Sequence, residues 1–208
     1  MRGKKEKPCL TVFGVDLAGV PHRPTGSCLL RRWEAKTALL KSDQDILDVI
    51  EKEKPILVTI DAPLSLPPGR ESIQQRNGQH FRACDLELRR RKIPFFPITL
   101  GPMRVLTERG MGLKKKIEQM EIQTLEIYPG GAQDIWKIPR AKHDLEGLKA
   151  GLKRLGIVGL DGNYSAHELD AVTAALVGIL YLEGKAEILG DFSSGAIVMP
   201  LPQPCFGA

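Results

Sequence analysis

Two apolar runs in this chain end alike. Thr11–Val15 (TVFGV) closes on Asp16 and then turns through Leu17-Ala18-Gly19. Ile56–Ile60 (ILVTI) closes on Asp61, followed by Ala62-Pro63. Each reads as a β-strand that delivers one carboxylate at its C-terminal end. A carboxylate beside a strand core is costly unless something pairs with it. Two such groups at one sheet edge repel each other unless a divalent cation sits between them. A third acidic element lies far downstream, where His167-Glu168-Leu169-Asp170-Ala171 opens an apolar helix. His167 and Asp170 are three residues apart and share a face. That face continues through Ala174 and Gly178, whose small side chains let a helix approach a sheet closely. Asp16, Asp61, His167 and Asp170 are therefore the expected catalytic residues.

Carboxylates suit hard ions, so Asp16, Asp61 and Asp170 are expected to bind Mg²⁺ or Mn²⁺. Glu126, at the end of the run Glu121–Tyr128, is either a further ligand or the anchor of the Tyr128-Pro129 turn. Ions held this way activate a water and stabilise charge on a phosphodiester. Each residue also has a plainer reading. Asp16 and Asp61 are ordinary turn formers, and Asp170 gains from the dipole of a helix N-terminus. Glu168 stands three residues after Ser165, the spacing of a capping box, and reads as structural.

The phosphates of a nucleic acid call for basic partners. The chain of 208 residues carries a net charge of +5 at pH 7. Its basic residues cluster at Arg2–Lys5, at Arg89-Arg90-Arg91-Lys92 and at Lys114–Lys116. Such charge permits nucleic-acid binding without establishing it. Arg82, Arg89, Arg90 and Arg91 are the expected substrate-binding cations. Arg82 has a competing role, an ion pair with Asp85 across one helical turn.

The elements that must position these groups can be read from the pattern. The length points to one domain, and 42% hydrophobic content with 26% charge is ordinary for a globular protein. Cys9, Cys28, Cys84 and Cys205 form no C-x-x-C pair, which argues against structural zinc and for a reduced, cytoplasmic setting. The apolar run Ala171–Leu182 is too short to span a bilayer, which takes about 20 residues, and no secretory signal is evident. Residues 1–7 read as a flexible basic tail. Strands are expected at Leu10–Leu17, Ser27–Arg32 and Trp33–Leu40, followed by a helix capped by Ser42 with Asp45 and running to Lys54. A buried strand to Asp61, parallel to the first, comes next. Residues 63–104, rich in proline, form an insertion between the fourth and fifth strands, with a helix over Phe81–Lys92. Helices over Met103–Met120, His143–Leu155 and from Ser165 to Glu183 follow, and Asp191–Pro200 closes the chain as an edge hairpin. The order implies an α/β fold: a mixed central sheet with helices on its faces.

The segments GVDLAG (14–19), IDAPLSLP (60–67), R-x-C-D (82–85), LTERG (106–110), EIYPG (126–130), HELDA (167–171) and GDFSSGAIVMP (190–200) resemble the DUF429 family, predicted nucleases of the ribonuclease H-like fold. HELDA is also similar to the last-helix motif of RuvC-type Holliday junction resolvases. The resemblance implies metal ligation by Asp16, Asp61, and His167 with Asp170. The leading expectation is a metal-dependent nuclease that acts on nucleic acid by a metal-activated water. One alternative is an ATPase or phosphotransferase, since GVDLAG is similar to the first phosphate loop of the actin-like superfamily; no Walker A sequence is present. The other is a nucleic-acid-binding module without catalysis.

Overall fold

The computed structural model describes residues 10–20 and 22–202; the expected basic tail lies outside them. Three strands open the fold: β1 (Thr11–Asp16), β2 (Thr25–Arg31) and β3 (Glu34–Leu40). They form an antiparallel meander. Its second turn is made by Arg32 and Trp33, both at positive φ, the backbone a two-residue hairpin needs to match strand twist. Helix α1 (Asp43–Glu53) begins with the expected capping box between Ser42 and Asp45. Strand β4 (Leu57–Asp61) then pairs parallel to β1, and β5 (Gln123–Glu126) parallel to β4. The sheet order is β3-β2-β1-β4-β5.

Alternation along the strands sends side chains to two cores. Phe13, Val15, Val58 and Ile60 pack with Ile46 and Ile50 of α1 and with Leu113 and Ile117 of α3 (Gly101–Glu118). Val12, Leu57 and Leu125 meet the other helical layer, α4 (Pro129–Trp136), α5 (Leu145–Arg154) and α6 (Ala166–Leu182). Helix α6 is apolar nearly all round because it lies across the sheet centre with other elements against its back. This mixed sheet with helices on both faces is the ribonuclease H-like fold expected from the sequence.

Between β4 and β5 run α2 (Ala83–Arg90) and α3. The loop before α2 is gathered by Arg70, which is buried and donates to the carbonyls of Ile73, Gln75 and Gln79. Two elements differ from the sequence reading. Tyr128-Pro129 reads as a turn, yet Tyr128 caps and Pro129 opens a helix, α4. The closing hairpin pairs β6 (Ala186–Asp191) with β7 (Gly195–Pro200), so Asp191 ends a strand instead of starting the hairpin. Its carboxylate accepts the backbone N–H groups of Ser193 and Ser194 and so closes the turn.

Candidate active site

Asp16 and Asp61 are direct partners in the parallel register of β1 and β4. Neighbouring strands lie about 4.8 Å apart, and paired positions point to one face. Both carboxylates therefore leave the sheet on the α6 side, at the C-terminal edge. Helix α6 reaches that edge because the surface between it and the sheet lacks side chains. A Cβ on Gly14 would stand 2.3 Å from the Ala171 carbonyl oxygen and 2.6 Å from the Ala175 nitrogen. One on Gly26 would stand 2.0 Å from the His167 carbonyl oxygen. On the helix side, a Cβ on Gly178 would meet Thr59 at 2.7 Å and Val12 at 2.8 Å. Backbone-to-backbone approach thus sets the first turn of α6 beside the carboxylates. The small-residue face of that helix was legible in the sequence; the strand glycines opposite it were not.

The first turn carries the expected pair. His167 Nδ1 lies 2.6 Å from Asp16 Oδ2. With Asp16 ionised, Nδ1 carries the proton, and Nε2 is the nitrogen available to other groups. The hydrogen bond to Asp16 raises the pKa of His167, against the opposing effect of burial. Asp170 accepts a hydrogen bond of 2.7 Å from Gln133 Nε2, and Gln133 also donates to Thr173. Burial lifts the Asp170 carboxyl to about 6, and the Asp16 charge adds to this. Asp61 is raised as well: burial lifts it well above its ordinary value, and Asp16, Asp170 and Glu126 all add repulsion. Glu168 makes the expected capping box with Ser165 and also accepts from Thr37 of β3.

Glu126 stands apart from this group. The register pairs it with Ile60, one step short of Asp61, so alternation turns it from the face that carries Asp61. Its two oxygens accept from both terminal nitrogens of Arg82, at 2.7 and 2.8 Å, and the Leu64 N–H donates to it at 2.8 Å. Arg82 is 2% exposed. It also donates to Asp85 through Nε and Nη2 and to Ser65 through Nη1, which uses all five guanidinium N–H groups. Burial opposes the Arg82 charge, but Glu126 and Asp85 outweigh it and raise its pKa. The pairing of Arg82 with Asp85, the alternative role seen in the sequence, is therefore present. Arg89 stacks over Phe81, Arg90 pairs with Glu87, and Arg91 pairs with Glu187. At 1.5 Å per residue these three sit roughly 10–13 Å further along α2 than Arg82.

A cavity of about 220 Å³ opens beside the carboxylates. Asp16 and Asp61 line it, Arg82, Asp85 and Glu126 contribute polar groups, and Phe95, Phe96, Met103 and Leu106 contribute apolar ones. Three site residues escaped the sequence reading. Gln133 sits on α4, the helix whose opening residues read as a turn. Arg109 of α3 donates to the Ala18 carbonyl and to Asp43, fixing the loop that follows Asp16; only its position within LTERG signalled it. Arg140 lies over the Tyr128 ring and lowers the Asp170 pKa in part.

Among the described residues, no group of three or more His, Cys, Asp and Glu side chains is set as a ready metal site. The donor chemistry fits a hard cation all the same. Asp16, Asp61 and Asp170 offer oxygen ligands at one edge, and among the described residues nothing that acts on Asp61 offsets its charge.

A family model described as "Protein of unknown function (DUF429)" matches residues 14–193. The chain belongs to the DUF429 family. Among solved structures, Thermus thermophilus RuvC aligns with a TM-score of 0.46 at 14% identity, covering 84% of this chain and 97% of that one. The yeast mitochondrial Holliday junction resolvase aligns at 0.42 and 13%, covering 81% and 77%. These likenesses are too distant to carry chemistry from either protein to this DUF429 member. No curated protein matches the chain. No helix of the described residues is long and apolar enough to cross a membrane.

Proposed function

We propose that this DUF429 protein is a divalent-metal-dependent nuclease. The observation that carries the reading is the meeting of Asp16, Asp61 and Asp170 at one sheet edge, with Asp61 left uncompensated. Mg²⁺ or Mn²⁺ held by these three carboxylates would supply an activated water and neutralise charge on the scissile phosphodiester.

The chain's own residues then have separable tasks. His167, oriented through Nδ1 by Asp16, presents Nε2 as the group that moves a proton between water or leaving oxygen and solvent. Gln133 fixes the rotamer of Asp170. Arg82 keeps Glu126 out of the ligand set and shapes the wall of the cavity, so its part is positioning. Phosphate contact falls instead to exposed Arg23, whose charge reaches His167; Arg140 is held by Asp134 and the Tyr128 hydroxyl. The net charge of +5 supports a polyanionic substrate.

The test is cleavage of single-stranded, duplex and branched oligonucleotides with Mg²⁺ or Mn²⁺. The reading expects cleavage of at least one, lost by a factor of about 10² or more in Asp61→Asn. Equal turnover by Asp61→Asn, or no cleavage of any substrate by the folded protein, would overturn it.

A further inference from the structure

The cavity beside the carboxylates has a lining that a phosphate cannot use. Its one guanidinium, Arg82, has every N–H engaged by Asp85, Glu126 and Ser65. The charge of that buried group, one cation with two carboxylates, is net negative, and Asp16 and Asp61 also line the cavity. Away from the ion that Asp16 and Asp61 would hold, an anion finds no free donor in this lining. The apolar part of the lining is Leu17, Leu88, Phe95, Phe96, Met103, Leu106 and their neighbours, which suits a flat, neutral ring. The volume of about 220 Å³ falls below the ~300–1,000 Å³ of pockets for drug-sized ligands, the scale of one heterocycle.

Phe96 makes the choice of ring specific. It is 71% exposed while lining this cavity, an unusual position for a large apolar side chain without a partner. Its segment is stiff. Pro94 and Pro97 bracket Phe95 and Phe96 and fix the φ angles on either side. Tyr128, two residues after Glu126, donates its hydroxyl to the Pro94 carbonyl at 2.5 Å, tying the segment to the end of β5. Phe95 is steadied edge-on by Phe81, with ring centroids 6.1 Å apart. A braced, largely exposed aromatic beside the proposed cleavage centre offers a stacking surface to a base.

We propose that this cavity is a slot for one unstacked nucleobase of the substrate, next to the phosphate that is cut, with Phe96 as its stacking residue. The proposal rests on the nuclease reading for the identity of the ligand. It makes the substrate class unpaired or locally distorted nucleic acid, because a base held in a duplex stack cannot enter.

The experiment measures binding without cleavage, by fluorescence anisotropy in Ca²⁺. The probes are a single-stranded oligonucleotide, the same strand with one central abasic position, and a fully paired duplex. Phe96→Ala and Phe96→Trp are compared with the natural protein; Phe96 is exposed, so neither threatens folding. The slot predicts that Phe96→Ala weakens single-strand binding about tenfold and Phe96→Trp keeps it, with duplex affinity unchanged. It also predicts that Phe96→Ala costs little on the strand whose abasic position occupies the slot. Equal losses on single strand and duplex, no loss on either, or no binding to any probe would overturn it. The nuclease reading fails separately: Phe96-dependent binding by a protein that cuts nothing in Mg²⁺ or Mn²⁺ retains the slot and removes the enzyme, whereas cleavage unaffected by Phe96→Ala does the reverse.

Discussion

The charge on Asp170 and Asp61 is held at a cost that the folded chain alone does not recover. Burial places the Asp170 carboxyl near 6, above its usual value of 3.8. The folded protein therefore holds that proton between pH 3.8 and about 6, where the unfolded chain has released it. The stability from this group is complete below 3.8 and is lost as pH rises through about 6. In chelator, Asp170→Asn, which keeps an oxygen acceptor for Gln133, is expected to melt a few degrees above the natural protein at about pH 7.5. The gap should close by about pH 4, and thermal melts at the two pH values check it. Arg82 behaves oppositely. Replacing it by Met leaves Glu126 and Asp85 buried without their cation, and the expected loss is about 3–5 kcal/mol in urea unfolding. Adding Glu126→Gln and Asp85→Asn should recover most of that loss. A direct phosphate role for Arg82 would instead predict weaker substrate binding with stability intact.

At the scale of elements, the site exists because α6 touches the sheet through glycines. Gly14→Val would drive a side chain into the Ala171 and Ala175 backbone, whose atoms stand only 2.3 and 2.6 Å from the place its Cβ must take. The expected cost is roughly 3 kcal/mol or more, with denaturant unfolding as the measure. A milder Gly178→Ala, meeting the Thr59 and Val12 methyls at 2.7 and 2.8 Å rather than backbone, should cost less and reduce activity by displacing His167 and Asp170. These elements also show what was legible beforehand. The strands ending in Asp16 and Asp61 were readable because apolar runs stop on an acid, and the α6 cap because Ser165 and Glu168 stand three apart. Helix α4 was not, because Pro129-Gly130-Gly131 carries turn residues and its helicity comes from packing against α6 and β7. The part played by Glu126 was hidden too, since only the register of β5 against β4 tells which face it leaves.

Across the whole molecule, charge is divided between an acidic sheet edge and basic residues around it. Residues Arg89, Arg90 and Arg91, a conspicuous run in the sequence, are engaged by Phe81, Glu87 and Glu187. Their replacement by Gln should change nucleic-acid affinity less than loss of exposed Arg23. Binding should weaken linearly in log–log terms as salt rises, and Arg23→Gln should flatten that slope by about 1. Anisotropy titrations at several salt concentrations check both statements. The ribonuclease H-like layout was foreseeable from the meander, the parallel strand and the late helices. The cavity was not, because Phe96, Met103 and Tyr128 reach it from segments whose relation only the folded chain fixes.

The central claim is that three carboxylates far apart in sequence share one divalent ion. Calorimetric titration of Mn²⁺ into the natural protein, Asp61→Asn and Asp170→Asn at about pH 7.5, above the raised Asp170 pKa, tests it most directly. Saturable binding by the natural protein, lost or strongly weakened in both variants, is the predicted result. Absent binding, or binding that both variants retain unchanged, would contradict the account.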